Sequence, residues 1–358
     1  MLYLSKTDTT PMKDQSKTPR IQDNNPKTPF YNLKKIWNPS WFQGNKKKSN
    51  YFEGWYFKLV DKTLNHAWAV IPGISLHHND PHAFIQVING KTGQTWYFRF
   101  PKEAFLFSRK GFYVEIGNNS FSKNFIKLDL NGNGSHFKGE LRFDNQVPFR
   151  ARLSRPGIMG WYRYAPFMEC YHGVVSLDHS ITGEMIMNGN QADFNQGRGY
   201  IEKDWGSSMP KSWVWMQSNH FEKTGVSFML SVADIPWIGK SFEGFLGFLL
   251  LNGEIITFAT YTGAKITHLK KKNDQVEIQI QTKKYIIDIT GKKDTSTKSK
   301  GALKAPVSMG MDRVIHENIN ARLEIKLTGK DGQTIFHETG NPAGLEIVDD
   351  SDLLSSSK

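Results

Sequence analysis

The sequence predicts an all-β protein built from antiparallel strands. From Asn50 onward, short alternating or apolar runs follow one another and are separated by Gly, Asn and Asp turns. Aromatic residues make up 13% of the chain, which favours strands and an apolar pocket over a helical bundle. Helical periodicity is nearly absent. A chain of 358 residues can bury a sizeable core, in two domains or in one large β domain.

The first group of strands is predicted to form one meander. Hairpin-sized gaps separate the runs YFEGWYFKLV, HAWAVI, HAFIQVI, QTWYFRF, GFYVEI, FIKLDL, HFKGELRF and VPFRARL. Asn89-Gly90 and Asn131-Gly132 are the dipeptide that type I′ hairpin turns favour. We predict a first β domain over residues 41–196. Residues 1–40 lack an apolar run that could act as a signal peptide or anchor, and we expect a disordered tail.

A second meander of similar size follows a looser passage, RPGIMGWYRYAPF. Its runs are GVVSLD, GEMIM, GYIEKDW, SWVWMQSNHF, VSFMLSVAD, GFLGFLLLNGEIITFATY, KITHL, QVEIQI, YIIDIT, ARLEIKL and TIFHE. We predict a second domain over residues 197–347 and a disordered tail over 348–358. YFEGWYFKLVD and SWVWMQSNHF are similar, each an aromatic strand with a few polar groups, and this similarity is the basis for considering a duplication. Closure removes exposed strand edges, so each meander is expected to form a barrel or a strongly curved sheet, which often holds one apolar ligand.

Composition limits the partners. The single cysteine, Cys170, rules out a disulfide framework and any multi-cysteine metal site, and it fits a reducing compartment. Without a run of about 20 apolar residues, membrane contact would have to be peripheral. The net charge of +12 lies mostly in lysine clusters, which are commonly solvated but can attract anionic lipid surfaces. No nucleic-acid motif accompanies the charge. We expect a cytoplasmic protein, with peripheral contact with an anionic membrane surface as the alternative.

The run YIEKDW contains the first candidate acids. Side chains alternate across a strand, so Tyr200, Glu202 and Asp204 share one face. The opposite face carries Ile201, Lys203 and Trp205. Two buried carboxylates on one face repel, and the pKa of one should rise enough to keep a proton that general acid catalysis can use. The alternative is that Arg198 or Arg313 pairs with Glu202, and that Asp204 caps the following turn.

The run SWVWMQSN supplies a second mixed face. Trp213, Trp215, Gln217 and Asn219 alternate with residues that suit packing. Two indoles and two amides could hold a flat, oxygen-bearing ligand. The alternative is that both tryptophans belong to the core.

Two earlier strands carry polar groups among apolar ones. Glu53 shares a face with large apolar side chains, so it must be neutral or paired with a cation. That face comprises Tyr51, Glu53, Trp55, Phe57 and Leu59. In HAFIQVI, His82 and Gln86 share a face with Phe84 and Ile88.

Other chemistries are not indicated. His77, His78, Asp80 and His82 match no zinc motif, and the Asn-Asp-Pro turn between them would point the histidines apart, so we predict no metal site. The sequence has no G-x-S-x-G elbow and no glycine-rich phosphate loop.

The blocks YFEGWYFK, HAFIQV, GYIEKDWGSSMPKSWVWMQSNHF and AGLEI resemble the signature blocks of the tocopherol cyclase family. They occur in order from Tyr51 to Ile347. The family is similar in turn to a lipocalin-like group that includes carotenoid 1,2-hydratases. The resemblance implies two lipocalin-like β domains with the ligand site between or inside them.

The reaction that the resemblance implies is ring closure of a prenylated benzoquinol to a chromanol. A carboxylic acid protonates the prenyl alkene, and the phenol oxygen captures the tertiary cation without a redox cofactor or metal. The implied acid is Glu202 or Asp204, with Glu53 next. The implied substrate contacts are Trp55, His82, Gln86, Tyr200, Lys203, Trp205, Trp213, Trp215, Gln217 and Asn219. The alternatives are a non-catalytic carrier of an isoprenoid or other lipid, and a hydratase of a prenyl alkene.

Overall fold

The computed structural model describes residues 29–132, 134–166, 168–237, 240–272, 274–296, 302–307 and 310–349. Regular structure in this part of the chain is almost entirely antiparallel β-sheet, which confirms the predicted all-β class. Residues 1–28 and 350–358, which belong to the two predicted tails, lie outside the described residues. No helix in the described part of the chain combines the length and the apolar character needed to cross a bilayer.

Within the described residues, twelve strands form the first sheet. They are β1 (Phe52–Val60), β2 (Ala67–Ser75), β3 (His82–Asn89), β4 (Thr95–Pro101), β5 (Phe105–Phe107), β6 (Tyr113–Ile116), β7 (Asn119–Ser122), β8 (Phe125–Gly132), β9 (Ser135–Asp144), β10 (Cys170–Met187), β11 (Asn190–Asp193) and β12 (Gly197–Gly206). They pair in the order β4-β3-β2-β1-β12-β10-β9-β8-β7-β6-β5, with β11 beside β10. A 3-10 turn, Lys102–Ala104, joins the end strands β4 and β5. Since three residues span only about 10 Å, the edges come close and the sheet curls into a barrel-like shape.

The second sheet repeats this plan. The remaining described strands are β13 (Ser212–Ser218), β14 (Ser227–Trp237), β15 (Lys240–Leu251), β16 (Glu254–Ala259), β17 (Lys265–Lys271), β18 (Gln275–Gln281), β19 (Tyr285–Lys292), β20 (Leu303–Val307), β21 (Gly310–Ile315), β22 (Asn318–Gly329) and β23 (Thr334–Asp349). Nine of them pair in the order β16-β15-β14-β13-β23-β22-β19-β18-β17, and β20 and β21 form a separate hairpin. The end strands β16 and β17 are again joined through a 3-10 turn, Thr260–Thr262. In both sheets the last strand pairs with the first, β12 with β1 and β23 with β13.

Each curled sheet encloses its own hydrophobic core, and a third core lies between the sheets. Trp55 and Phe57 face the interior of the first sheet, and Val214 and Met216 face the interior of the second. The residues that alternate with them pack together in the third core, where the ring of Tyr56 meets that of Trp215 edge-on at 5.4 Å. The two-residue period of a strand therefore gives both sheets a second buried face.

The boundary between the halves differs from the prediction. Residues 197–206, expected to begin the second domain, form β12, which lies between β1 and β10 in the first sheet. The second sheet begins at Ser212. The sequence could not show this, because an alternating run does not reveal which strands lie beside it.

The N-terminal part also differs. Residues 29–40, assigned to the predicted tail, contain the single helical turn α1 (Tyr31–Lys34) and the 3-10 turn Lys35–Trp37. Tyr31 is buried, stacks on Trp41 at 5.6 Å and donates a hydrogen bond to the carbonyl of Phe42 at 2.6 Å. Burial of these rings holds the segment against the first sheet. At the other end, Val348 and Asp349, assigned to the C-terminal tail, belong to β23.

Candidate active site

A cavity of about 200 Å³ lies between the two sheets. Its walls come from the outward faces of β1, β10 and β12 on one side and of β13, β14, β15 and β23 on the other. The β20–β21 hairpin closes another side with Leu303, Ala305 and Ile315. Of the two locations considered for a ligand, between the domains or inside them, the cavity occupies the first.

One wall carries a histidine held between two carboxylates. On adjacent strands His172 pairs with Asp204 and Tyr56 pairs with Glu202, and paired residues share a face. His172 Nδ1 lies 2.8 Å from Asp204 Oδ1, within hydrogen-bond distance. His172 Nε2 lies 3.4 Å from Glu202 Oε2, close enough for an ion pair but without hydrogen-bond geometry. Glu202 Oε2 also accepts hydrogen bonds from Tyr200 at 2.6 Å and from the Trp215 indole at 3.3 Å.

The charge of this group follows from its geometry. Burial, the largest single influence, lowers the pKa of His172, but the attraction of Asp204 and Glu202 outweighs it and raises the pKa to about 10. His172 is therefore an imidazolium at neutral pH.

Two further carboxylates reach the cavity from the second half of the chain. Tyr56 donates a hydrogen bond to Glu317 Oε1 at 2.5 Å. The Trp213 indole donates one to Glu346 Oε2 at 2.6 Å. Glu346 pairs with Trp215 across β13 and β23, which places it on the face that looks into the cavity.

Both of these carboxyl groups hold their protons tightly. Burial raises the pKa of Glu317 well above its usual range, and the charges of Glu346 and Glu202 add to the effect. Burial raises the pKa of Glu346 to about 7; the Trp213 hydrogen bond lowers it, and the charges of Glu202 and Asp204 raise it. The cavity thus combines an imidazolium, two carboxylates flanking it, and two carboxyl groups that can be neutral near pH 7.

A buried lysine completes the electrostatics behind this wall. Burial lowers the pKa of Lys58 to about 7, although the charges of Glu317 and Glu202 oppose the change. Its ammonium donates hydrogen bonds to Gln217 Oε1 at 3.1 Å and to the carbonyl of Pro342 at 2.9 Å.

The rest of the lining is mostly apolar. It includes Phe52, Ile71, Phe84, Met159, Tyr162, Ile235, Phe245 and Leu246. An apolar wall opposite acidic groups suits a ligand with a hydrocarbon part and an oxygen-bearing part.

Five of the residues predicted for the site line the cavity. They are Gln86, Glu202, Asp204, Trp213 and Trp215. Gln86 is also engaged with the hairpin, because its amide exchanges two hydrogen bonds with the backbone of Lys304, at 3.0 and 2.9 Å.

Four others lie on the opposite face of the first sheet. Glu53, Trp55, Lys203 and Trp205 point into the interior of the first sheet and do not line the cavity. The register between β1 and β12 decides which residues share a face. Glu53 lies opposite Trp205 on the inner face, whereas Tyr56 lies opposite Glu202 on the face that lines the cavity. Glu53 and Glu202 therefore lie on different faces.

Glu53 has the cation that its burial requires. Lys203 Nζ lies 2.5 Å from Glu53 Oε1, and both side chains are fully buried. Glu53 also accepts hydrogen bonds from the hydroxyl of Tyr51 and from the backbone N–H groups of Gln43 and Gly44, at 2.9 and 3.0 Å. Lys203 donates to the carbonyls at positions 39 and 41 and lies over two indoles, at 4.8 and 4.7 Å. This arrangement ties residues 39–44 to the first sheet.

The remaining four predicted contacts do not line the cavity. Tyr200 positions Glu202 through its hydroxyl, and Gln217 accepts the hydrogen bond from Lys58. Asn219 donates to Asp178 Oδ1 and to the carbonyl of Gly199, each at 2.9 Å. His82 bonds the hydroxyl of Tyr97 at 2.6 Å.

Sequence reasoning missed His172, Glu317 and Glu346. Glu346 lies in the AGLEI block, so the resemblance pointed to its position without giving it a role. His172 and Glu317 carried no motif, and they reach the site only because β10 pairs with β12 and because the chain enters β22 beside Tyr56.

Among the described residues, His172, Glu202 and Asp204 bring one potential metal-ligand atom each within 4.8 Å of one another. The two nitrogens of His172 face different carboxylates, so the imidazolium already supplies the positive charge that a metal ion would bring. A divalent cation would have to displace that proton.

Comparison with known proteins gives a family. A family model described as tocopherol cyclase-like matches residues 145–348. A chloroplastic tocopherol cyclase of Zea mays is 24% identical over 199 residues, which are 52% of this chain and 41% of the maize protein. The matched part therefore spans less than half of that relative.

A solved structure is similar in fold. The crystal structure of CghA with Sch210972 superposes with a TM-score of 0.51 and covers 84% of this chain and 89% of the CghA chain, at 10% identity. At that identity the likeness concerns the fold alone.

Proposed function

Because the chain belongs to the tocopherol cyclase-like family, whose model spans more than half of it, we propose that it is an enzyme of the cyclase or hydratase type. The reaction is acid-catalysed addition of an oxygen nucleophile to an alkene of a prenyl lipid. In its finer form it is ring closure of a prenylated benzoquinol, in which the phenol oxygen adds to the first alkene of the side chain.

The proton donor is Glu346, and the observation that carries the proposal is its position, since it lines the cavity and accepts a hydrogen bond from the Trp213 indole. A general acid works best when its pKa lies near the working pH, and burial raises the pKa of Glu346 to about 7. The donor–acceptor distance from the Trp213 indole nitrogen to Glu346 Oε2 is 2.6 Å, which orients the carboxyl group, and the raised pKa supports the same role. Glu202 and Asp204, which the sequence favoured as the acid, are instead the partners of a cation.

The group of Glu202, His172 and Asp204 orients the phenol and accepts its proton. A carboxylate can accept a hydrogen bond from the phenol hydroxyl, and the His172 imidazolium lies between the side chains of Glu202 and Asp204. As the oxygen attacks, the phenol proton passes to this group. After the product leaves, this group releases a proton to solvent and Glu346 takes one up. One C–H and one C–O bond form, the alkene π bond and the O–H bond break, and the mass is unchanged.

The aromatic walls support the intermediate cation. Trp213, Trp215 and Tyr56 surround the acids, and an indole face can stabilise a desolvated cation by about 2 kcal/mol. The apolar side of the cavity excludes water, which would otherwise capture the cation.

Incubation of the purified protein with a prenylated benzoquinol, followed by chromatography and mass spectrometry, tests the proposal. We expect a product of unchanged mass whose formation is lost in Glu346→Gln. The matched control is Glu338→Gln, which removes a carboxylate that bonds the backbone of Lys223 on the surface. Cyclisation that continues in Glu346→Gln would refute the assignment of the acid.

The same experiment separates the alternatives. A product heavier by one water would identify a hydratase, in which water replaces the phenol as nucleophile. Ligand bound without turnover, in wild type and variant alike, would identify a lipid carrier and overturn the enzyme proposal.

A further inference from the structure

The connection between β9 and β10 has a surface that the proposed chemistry does not use. Between Asp144 and Glu169 the sequence has four arginines and no acidic residue. We call residues 148–164 the arginine-aromatic loop. Met159 and Tyr162 of this loop line the cavity, so its inner face belongs to the ligand site.

The inner face is fixed to both halves of the protein. The hydroxyl of Tyr261 donates a hydrogen bond to the carbonyl of Ile158 at 2.7 Å. Arg163 donates to Gln43 Oε1 at 2.7 Å and lies over the ring of Trp205 at 5.1 Å. Since these contacts reach both halves of the protein, the loop is held across the junction between them.

The outer face exposes large apolar side chains. Leu153 is 80% exposed, Trp161 50% and Tyr164 47%. The hydroxyl of Tyr164 bonds the carbonyl of Leu153 at 2.6 Å, which brings two of them together. Trp161 stacks on Tyr162 at 4.1 Å, so the exposed surface is continuous with the cavity wall.

A tight turn displays the most exposed of these residues. The backbones of Arg152 and Arg155 exchange hydrogen bonds at 2.7 and 3.0 Å, with Leu153 and Ser154 at the tip. Arg150 and Arg152 are exposed beside it. An apolar tip flanked by arginines, with tryptophan and tyrosine nearby, matches the chemistry of a membrane interface, where aromatic rings occupy the headgroup layer and arginines face lipid phosphates.

We propose that the arginine-aromatic loop docks the protein on an anionic lipid bilayer, with Leu153 and Trp161 entering the headgroup layer and Arg150 and Arg152 facing phosphates. Charge complementarity favours a bilayer, because the exposed side of the loop presents Arg150 and Arg152 and the stretch between Asp144 and Glu169 has no acidic residue, which fits a uniformly anionic surface. The proposal rests on the proposed function in one respect: a prenyl lipid substrate would enter the cavity from the membrane.

Co-sedimentation of the full chain with vesicles tests this proposal without any measurement of turnover. We expect binding to vesicles of phosphatidylcholine mixed with phosphatidylserine at about 0.1 M salt, little binding to phosphatidylcholine alone, and weakening as salt rises. Arg150→Ser with Arg152→Ser should reduce the partition coefficient about thirtyfold, since each arginine near the surface contributes about fivefold. Leu153→Ser should also weaken binding, with the salt dependence retained.

The matched control removes the same charge elsewhere. Lys138→Ser with Lys330→Ser takes two exposed lysines from other parts of the surface and should leave vesicle binding within about threefold of the wild type. The proposal is overturned if the wild type does not sediment with anionic vesicles, or if the loop variants bind as well as the wild type while circular dichroism shows them folded. Turnover of a short-chain quinol dispersed in detergent reports separately on the proposed function, and the loop variants should retain it.

Discussion

Replacing Glu346 by glutamine should strongly reduce activity and should stabilise the protein above about pH 7. Glutamine keeps the shape of the side chain and an acceptor for the Trp213 indole, but it cannot donate a proton to an alkene. General acid catalysis contributes about 10²–10⁴-fold, so we expect kcat to fall at least about a hundredfold. In the wild type, kcat/KM should decline as pH rises through about 7, because the acid loses its proton.

The effect on stability has the opposite sign. The pKa of Glu346 rises from 4.5 to about 7 on folding, so the folded state holds this proton more tightly than the unfolded chain. Its contribution to stability is fully present below pH 4.5 and is lost as pH rises through about 7. That difference corresponds to about 3 kcal/mol, and Glu346→Gln should remove most of this dependence on pH.

Urea denaturation from pH 4 to 9, roughly the window around these two pKa values, measures the effect. We expect Glu346→Gln to be more stable than the wild type above pH 7, by about 3 kcal/mol at most. The same series with Glu338→Gln should show no such divergence. Equal pH dependence of wild type and Glu346→Gln would refute a raised pKa, whatever happened to activity.

Three further predictions concern the surrounding residues. His172→Gln should lower the free energy of unfolding below pH 6.5, because the folded wild type holds the imidazolium proton more tightly than the unfolded chain does. The difference between variant and wild type should shrink as pH rises through about 10, and urea denaturation at several pH values would measure it. Glu53→Gln should cost about 3–5 kcal/mol, since it leaves the Lys203 ammonium buried without its anion, yet the folded variant should keep its activity. Gln86→Leu should remove both hydrogen bonds to the backbone of Lys304 and so speed amide hydrogen exchange in β20. Because the β20–β21 hairpin closes one side of the cavity, the variant should raise KM more than it lowers kcat.

Two of these predictions have a control variant, and the third has a refuting outcome. For His172, the variant His268→Gln removes an exposed histidine on β17 and should leave the pH dependence unchanged. For Glu53, the double variant Glu53→Leu with Lys203→Met should recover part of the stability; loss of activity in the folded Glu53→Gln protein would instead give Glu53 a chemical role. Unchanged exchange rates in β20 would show that the hairpin does not depend on Gln86.

Strand alternation allowed part of the site to be predicted. Glu202 and Asp204 share a face, as do Trp213 and Trp215, and both pairs line the cavity. These relations are local, because neighbouring side chains on a strand must point to opposite sides. The all-β class and the tocopherol cyclase-like family were likewise predicted and confirmed, since both depend on runs and blocks read along the chain.

The assignment of Glu346 as the proposed acid depends on contacts between distant strands. Glu346 meets Trp213 across 133 positions of sequence, and Tyr56 meets Glu317 across 261. Their raised pKa values arise from burial between the two sheets, which is a property of the packed structure. The sequence of a single strand shows neither which distant residues it contacts nor how deeply its side chains are buried.

The sequence by itself determined most of the strands, their faces and the family, because these depend on residues a few positions apart. One predicted strand was wrong, since the run VPFRARL lies in the connection between β9 and β10. Only the tertiary structure decided which faces meet. The antiparallel register of β1 and β12 put Glu53 inside the first curled sheet with Lys203, and it put Tyr56 beside Glu202 in the cavity. Because side-chain direction alternates with a period of two, a shift of that register by one residue would have exchanged the two faces. No local signal in either strand fixes the register.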